Sequence, residues 1–119
     1  MEVTKRAVTW VLILLVAMAC VVVEPAGAVD CYMVSIGMNP CREYLTGQAA
    51  EPSRLCCHGV RLIHQEAHST WMRQDTCECL RQIATSHGHY LREEAAQALA
   101  GRCGVQYGIP FSRDVDCSR

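Results

Sequence analysis

Hydrophobic residues fall in two different patterns along the chain. From Ala7 to Val23 they form one nearly unbroken run, interrupted only by Thr9. Beyond residue 30 they recur at helical intervals instead, spaced by three, four and seven positions. Val34, Met38 and Leu45 share one face and predict a first helix over 32–44. Gly47 and Pro52 then mark a loop, and Ser53 suits the N-cap of a second helix with Val60 and Ile63 on its inner side. Ser69 or Thr70 suits the cap of a third helix running from Trp71 to Ile83, and Ser86-His87-Gly88-His89 breaks it. An alanine-rich fourth helix is predicted from Tyr90 to Ala100, stopping at Gly101. Gly104, Gly108 and Pro110 predict an irregular tail to Arg119, and strand signals are scarce. The expected fold class is all-α: four short helices plus a C-terminal coil.

The first apolar run reads as a secretory signal. Lys5 and Arg6 precede it, Glu24 and Pro25 end it, and Ala26-Gly27-Ala28 offers small residues for cleavage after Ala28. The run's 17 residues sit at the lower limit for a membrane span. A cut after Ala19 would leave Cys20-Val21-Val22-Val23 exposed at the new end. The expected organisation is therefore a signal over 1–28 and one domain over 29–119, secreted and extracellular. No second apolar stretch predicts a C-terminal anchor.

Removing the signal changes the cysteine arithmetic. Nine cysteines become eight, because Cys20 leaves with it. An even count in so short an exported chain reads as a disulfide framework. The domain carries nine arginines, no lysine and ten acids, a net charge of −1. That balance supplies no basic face for nucleic acid. Its 18 Val, Ile, Leu and Met residues and six aromatics are few for a solid core. Four cross-links of about 2–4 kcal/mol each offset such a shortage, so the fold tolerates a hollow with an aliphatic lining.

The cysteine spacing is Cys31-x9-Cys41-x14-Cys56-Cys57-x19-Cys77-x-Cys79-x23-Cys103-x13-Cys117. With its adjacent pair and its Cys-x-Cys, it resembles the plant non-specific lipid-transfer proteins, and the x9 and x19 gaps and polar Glu78 resemble their type 1 branch. Further matches are Cys31-x-x-Val34-x-x-x-Met38-x-Pro40-Cys41, Cys41-Arg42-Glu43-Tyr44-Leu45, Cys56-Cys57-His58-Gly59-Val60-Arg61, Arg73-Gln74 and Cys79-Leu80. The resemblance implies four helices stapled around a hydrophobic tunnel by Cys31–Cys79, Cys41–Cys56, Cys57–Cys103 and Cys77–Cys117. The type 2 branch would instead join Cys31 to Cys77 and Cys79 to Cys117.

Two family motifs depart here. Thr-x-x-Asp-Arg reads Thr70-Trp71-Met72-Arg73 without its acid, and Pro-Tyr-x-Ile-Ser falls on Gly108-Ile109-Pro110-Phe111-Ser112 with only Ser112 shared. The tyrosine hydroxyl is missing at Ile109, and Tyr107 is the nearest substitute. The segment between Cys79 and Cys103 is also longer than the family's usual one.

The resemblance implies a carrier of fatty acids, lysophospholipids or phospholipids that works without cofactor, as a monomer, in transient contact with membranes in the apoplast or cell wall. The candidate lining residues are Leu45, Ile63, Leu80, Ile83, Leu91, Leu99, Val105, Ile109 and Phe111. Arg73 offers a planar fork of donors to a carboxylate or phosphate at the mouth. Tyr44 and Tyr107 offer hydroxyls to a head group. His64 and His68 stand at i and i+4, but Gln65 occupies the place where a zinc protease needs glutamate. They are expected to be exposed helix-surface histidines, with no metal site. No nucleophile motif is present, so an enzyme is not expected. A membrane-disrupting defence protein and an inhibitor of amylase or protease are the alternative readings, and the absence of lysine and the charge of −1 weigh against the first.

Overall fold

The computed structural model describes residues 7–14 and 29–118. Residues 7–14 are helical with exposed side chains. The remainder of the expected signal, including the cleavage site after Ala28, lies outside the described residues.

The domain is all-α, with no strand among the described residues. Its helices are α1 (Cys31–Met38), α2 (Arg42–Leu45), α3 (Arg54–Glu66), α4 (Thr70–His87) and α5 (Glu93–Arg102). Short 3₁₀ turns occupy Asn39–Cys41 and Gly88–Tyr90. Residues 103–118 form a coil.

Local chemistry explains most boundaries. The Asp30 carboxylate accepts the Tyr32 N–H, and the Ser53 and Ser69 hydroxyls accept the N–H groups of Cys56 and Met72. The single helix expected over 32–44 is instead two. Pro40 has no N–H to donate and its ring crowds the preceding turn, so the chain tightens to 3₁₀ over Asn39–Cys41 before α2.

The last helix also differs from its expected span. Gly101 lies inside α5, and the stop is Gly104, whose φ of 77° is left-handed. Gly104 N–H donates to Gly101 and Val105 N–H to Ala100, at 3.1 and 2.9 Å, which satisfies carbonyls the helix end would leave bare. The third helix, expected to Ile83, continues to His87 and is capped by Gly88 at φ 57°.

Helix α1 packs on α3 and α4, and α5 packs on α2 and α3. Disulfides join Cys31 to Cys79, Cys41 to Cys56, Cys57 to Cys103 and Cys77 to Cys117. Two of them clamp the coil at its ends. Leu45, Val60, Cys41, Cys56 and Cys79 are the largest of the fully buried side chains among the described residues, so sulfur takes a large share of the centre.

Candidate functional site

Three helices face a common hollow. Helix α3 contributes Val60, Ile63 and His64; α4 contributes Leu80; α5 contributes Ala96, Leu99 and Ala100. The i, i+3, i+4 spacing on α3 and α5 places each trio on a single face. Met38 adds the end of α1. The coil supplies the remaining wall through Val105, Ile109, Pro110, Phe111 and Val115. The cavity measures about 440 Å³ and is open on one side. Among the described residues, polar side chains reach it as His64, Gln97, Ser112 and Asp114.

A coil has no ladder of its own, so side chains must hold it. His64 Nε2 accepts the Ile109 N–H at 2.8 Å, while His64 Nδ1 lies 2.8 Å from the Val60 carbonyl. An acceptor on one ring nitrogen and a donor on the other define the neutral ring protonated at Nδ1. Burial holds the His64 pKa below its ordinary value against the pull of the Val60 carbonyl, and the Arg73 cation lowers it further. Arg61 donates to the Cys103 carbonyl at 3.2 Å and Arg73 to that of Tyr107. Farther along, Glu93 receives Arg113 at 3.0 Å and the Ser112 hydroxyl at 3.4 Å. Gly108 fits against Ala100 because it has no side chain; a Cβ there would strike the Ala100 methyl.

The predicted site residues divide by place. Ile63, Leu80, Leu99, Val105, Ile109 and Phe111 all line the cavity. Tyr44, Leu45 and Leu91 are buried outside it, and Ile83 packs against the core. Leu45 and Leu91 belong to the end of the molecule where the Leu45 carbonyl accepts the Arg92 N–H and ties α2 to the start of α5. Arg73 borders a smaller hollow of about 170 Å³ with Thr70, Gln74 and Asp116; Ile109 and Pro110 line both hollows. Tyr107 adopts a left-handed φ of 56° with its side chain 90% exposed, and it meets Arg73 through its carbonyl.

His64 requires a correction. It was expected on the helix surface beside His68, yet it is half-buried in the cavity wall with both ring nitrogens engaged. The signal was present, since His64 follows Val60 by four residues on the inner stripe. His68 is exposed. Among the described residues no group of three His, Cys, Asp or Glu side chains is placed to hold a metal ion. Met38 and Val60, expected on inner helix faces but not named as lining candidates, also line the cavity, as do Ala96 and Ala100.

Residues 31–117 match the model of the protease inhibitor/seed storage/LTP family. Non-specific lipid-transfer protein 3 of Oryza sativa is 36% identical over 116 residues, covering 97% of this chain and 95% of the rice protein. A barley non-specific lipid-transfer protein 1 solved with lysophosphatidylcholine superposes with a TM-score of 0.69 at 38% identity, covering 76% of this chain and 98% of that one. A wheat non-specific transfer protein solved with two phospholipid molecules gives the same TM-score and identity, covering 76% and 99%.

Proposed function

From the chain's membership of the plant non-specific lipid-transfer proteins, to which it belongs, we propose that it carries acyl lipids in the cavity walled by α3, α4, α5 and the coil. It binds fatty acids, lysophospholipids or phospholipids reversibly and moves them between membranes or toward the cell wall. The observation that carries this reading is a cavity of about 440 Å³, lined mostly by apolar residues, inside a covalently stapled fold. That volume lies in the roughly 300–1,000 Å³ range of small-ligand sites.

Transfer of a 16-carbon chain removes about 15 methylenes from water, a gross gain near 12 kcal/mol at about 0.8 kcal/mol each. Association and ordering of the chain cancel much of it, which leaves an affinity on the order of micromolar. Release to another membrane needs such a moderate value. Methylenes offer no directional groups, so an aliphatic wall separates chain types poorly and broad specificity follows.

The work is binding without bond chemistry. Arg73, on the outer side of the Ile109-Pro110 wall, offers its remaining donors to an acidic head group. The domain acts outside the cell, in the apoplast or wall, after residues 1–28 are removed.

Native mass spectrometry of the processed protein with palmitate and with lysophosphatidylcholine tests this. One or two bound lipids are expected, and Arg73→Ala is expected to weaken palmitate more than a neutral lipid of equal length. No lipid uptake would overturn the carrier reading; equal loss for both lipids would remove Arg73 from the head-group role.

A further inference from the structure

Ile63 lines a second hollow as well as the first. Helices α1 and α3 touch backbone to backbone at Gly37 and Gly59, where a Cβ on Gly59 would overlap the Gly37 carbonyl. Beside this contact a groove of about 540 Å³ opens between α1, the end of α3 and the start of α4. Its lining includes Met33, Ile36, Leu62 and Met72, and Ile63 is the one residue it shares with the main cavity. Met33 is 59% exposed, Ile36 48% and Leu62 44%. Three large apolar side chains on one groove form the kind of contiguous patch that soluble domains keep for binding.

The groove also carries a definite charge. Asp30 and Glu66 are the charged side chains in its lining, and no basic side chain joins them. Asp30 is oriented by the Tyr32 N–H at 3.0 Å. Cleavage after Ala28 adds one ammonium, on Val29, so two carboxylates against one cation leave the groove net negative. Such a field repels a fatty carboxylate and attracts a cation.

We propose that this groove binds a single long aliphatic chain ending in an ammonium head, as a site distinct from the main cavity. Volume, apolar lining and charge complementarity all fit that occupant. The occupant is a cationic amphiphile: a phosphocholine head also carries a phosphate, is zwitterionic, and draws no net attraction from a negative groove. This site stands whether or not the main cavity carries lipid.

Methyl-resolved NMR of the processed protein tests the proposal, with four probes of equal chain length used below their micellar concentrations: hexadecyltrimethylammonium, hexadecylphosphocholine, hexadecanol and palmitate. Hexadecyltrimethylammonium is expected to shift the Met33 and Leu62 methyls and to bind there at least tenfold tighter than palmitate. Hexadecylphosphocholine is expected to bind more weakly, because its phosphate cancels the charge of its ammonium. The triple variant Met33→Ser, Ile36→Ser, Leu62→Ser is expected to lose this binding at least tenfold. Glu66→Lys is expected to reverse the order of ammonium and palmitate. The proposal is overturned if hexadecyltrimethylammonium leaves those methyls unmoved, if palmitate, hexadecanol or hexadecylphosphocholine binds there equally well, or if the triple variant retains the site. Shifts at the Leu80 and Leu99 methyls report the main cavity separately, so failure of either site is read without the other.

Discussion

His64 and Ile109 stand 45 residues apart and are joined by a 2.8 Å hydrogen bond from the Ile109 N–H to His64 Nε2. Both line the main cavity. The bond requires a neutral ring, because a protonated Nε2 has no lone pair to offer. The folded pKa is lowered from 6.5, chiefly by burial, so the unfolded chain binds more protons in the window just below 6.5. Stability therefore rises with pH there: His64's contribution is complete above 6.5 and is lost as pH falls through the lowered folded value. Thermal melts across that range should show the slope, and His64→Gln should flatten it. His64→Ala, which strands the Ile109 N–H, should cost about 1–3 kcal/mol.

The coil keeps its place through covalent ends. Breaking Cys77–Cys117 with paired serines frees the far end, whereas Cys57–Cys103 still holds the near one. A loss of about 2–4 kcal/mol is expected in denaturant unfolding. Because Ile109, Phe111 and Val115 lie between the two clamps, lipid uptake should fall further than the melting temperature alone implies.

Gly59 admits no side chain. Its Cβ would overlap the Gly37 carbonyl, backbone that cannot rotate aside, so Gly59→Ala must push α1 from α3. Overpacking of this kind costs about 1–3 kcal/mol. Equilibrium unfolding measures it; a change under 0.5 kcal/mol would show that the helices are free to separate there.

Ala96 faces the cavity from α5 and is 3% exposed. Ala96→Phe places a ring where an acyl chain is proposed to lie. Palmitate affinity should drop at least tenfold by fluorescence competition while the melting temperature holds or rises. Unchanged affinity would move the lipid elsewhere.

Processing supplies a further check. N-terminal sequencing of protein recovered from extracellular fluid should begin Val29-Asp30-Cys31. A start at Cys20 would place the cut after Ala19 instead.

The helical character, the caps at Ser53 and Ser69, and the apolar stripes were legible in the sequence because each depends on residues within four positions of one another. Ile63, Leu80 and Leu99 line the cavity for that reason, the periodic face being a local property, whereas Val105, Ile109 and Phe111 line it from a coil that has no periodic face. The break at Pro40 and the shift of the last stop from Gly101 to Gly104 depend on backbone geometry one turn away, which hydrophobic spacing does not encode. Leu45, Ile83 and Leu91 have the same apolar character as true lining residues; the packing of α2 against α5 sends Leu45 and Leu91 elsewhere, and Ile83 packs against the core outside the cavity. His64 passes from surface residue to coil anchor because its partner, Ile109, comes from a segment with no periodicity at all. Local physics thus determined which residues turn inward, and long-range contacts decided which inward faces enclose a hollow, because a void belongs to several elements at once and is written in none of them.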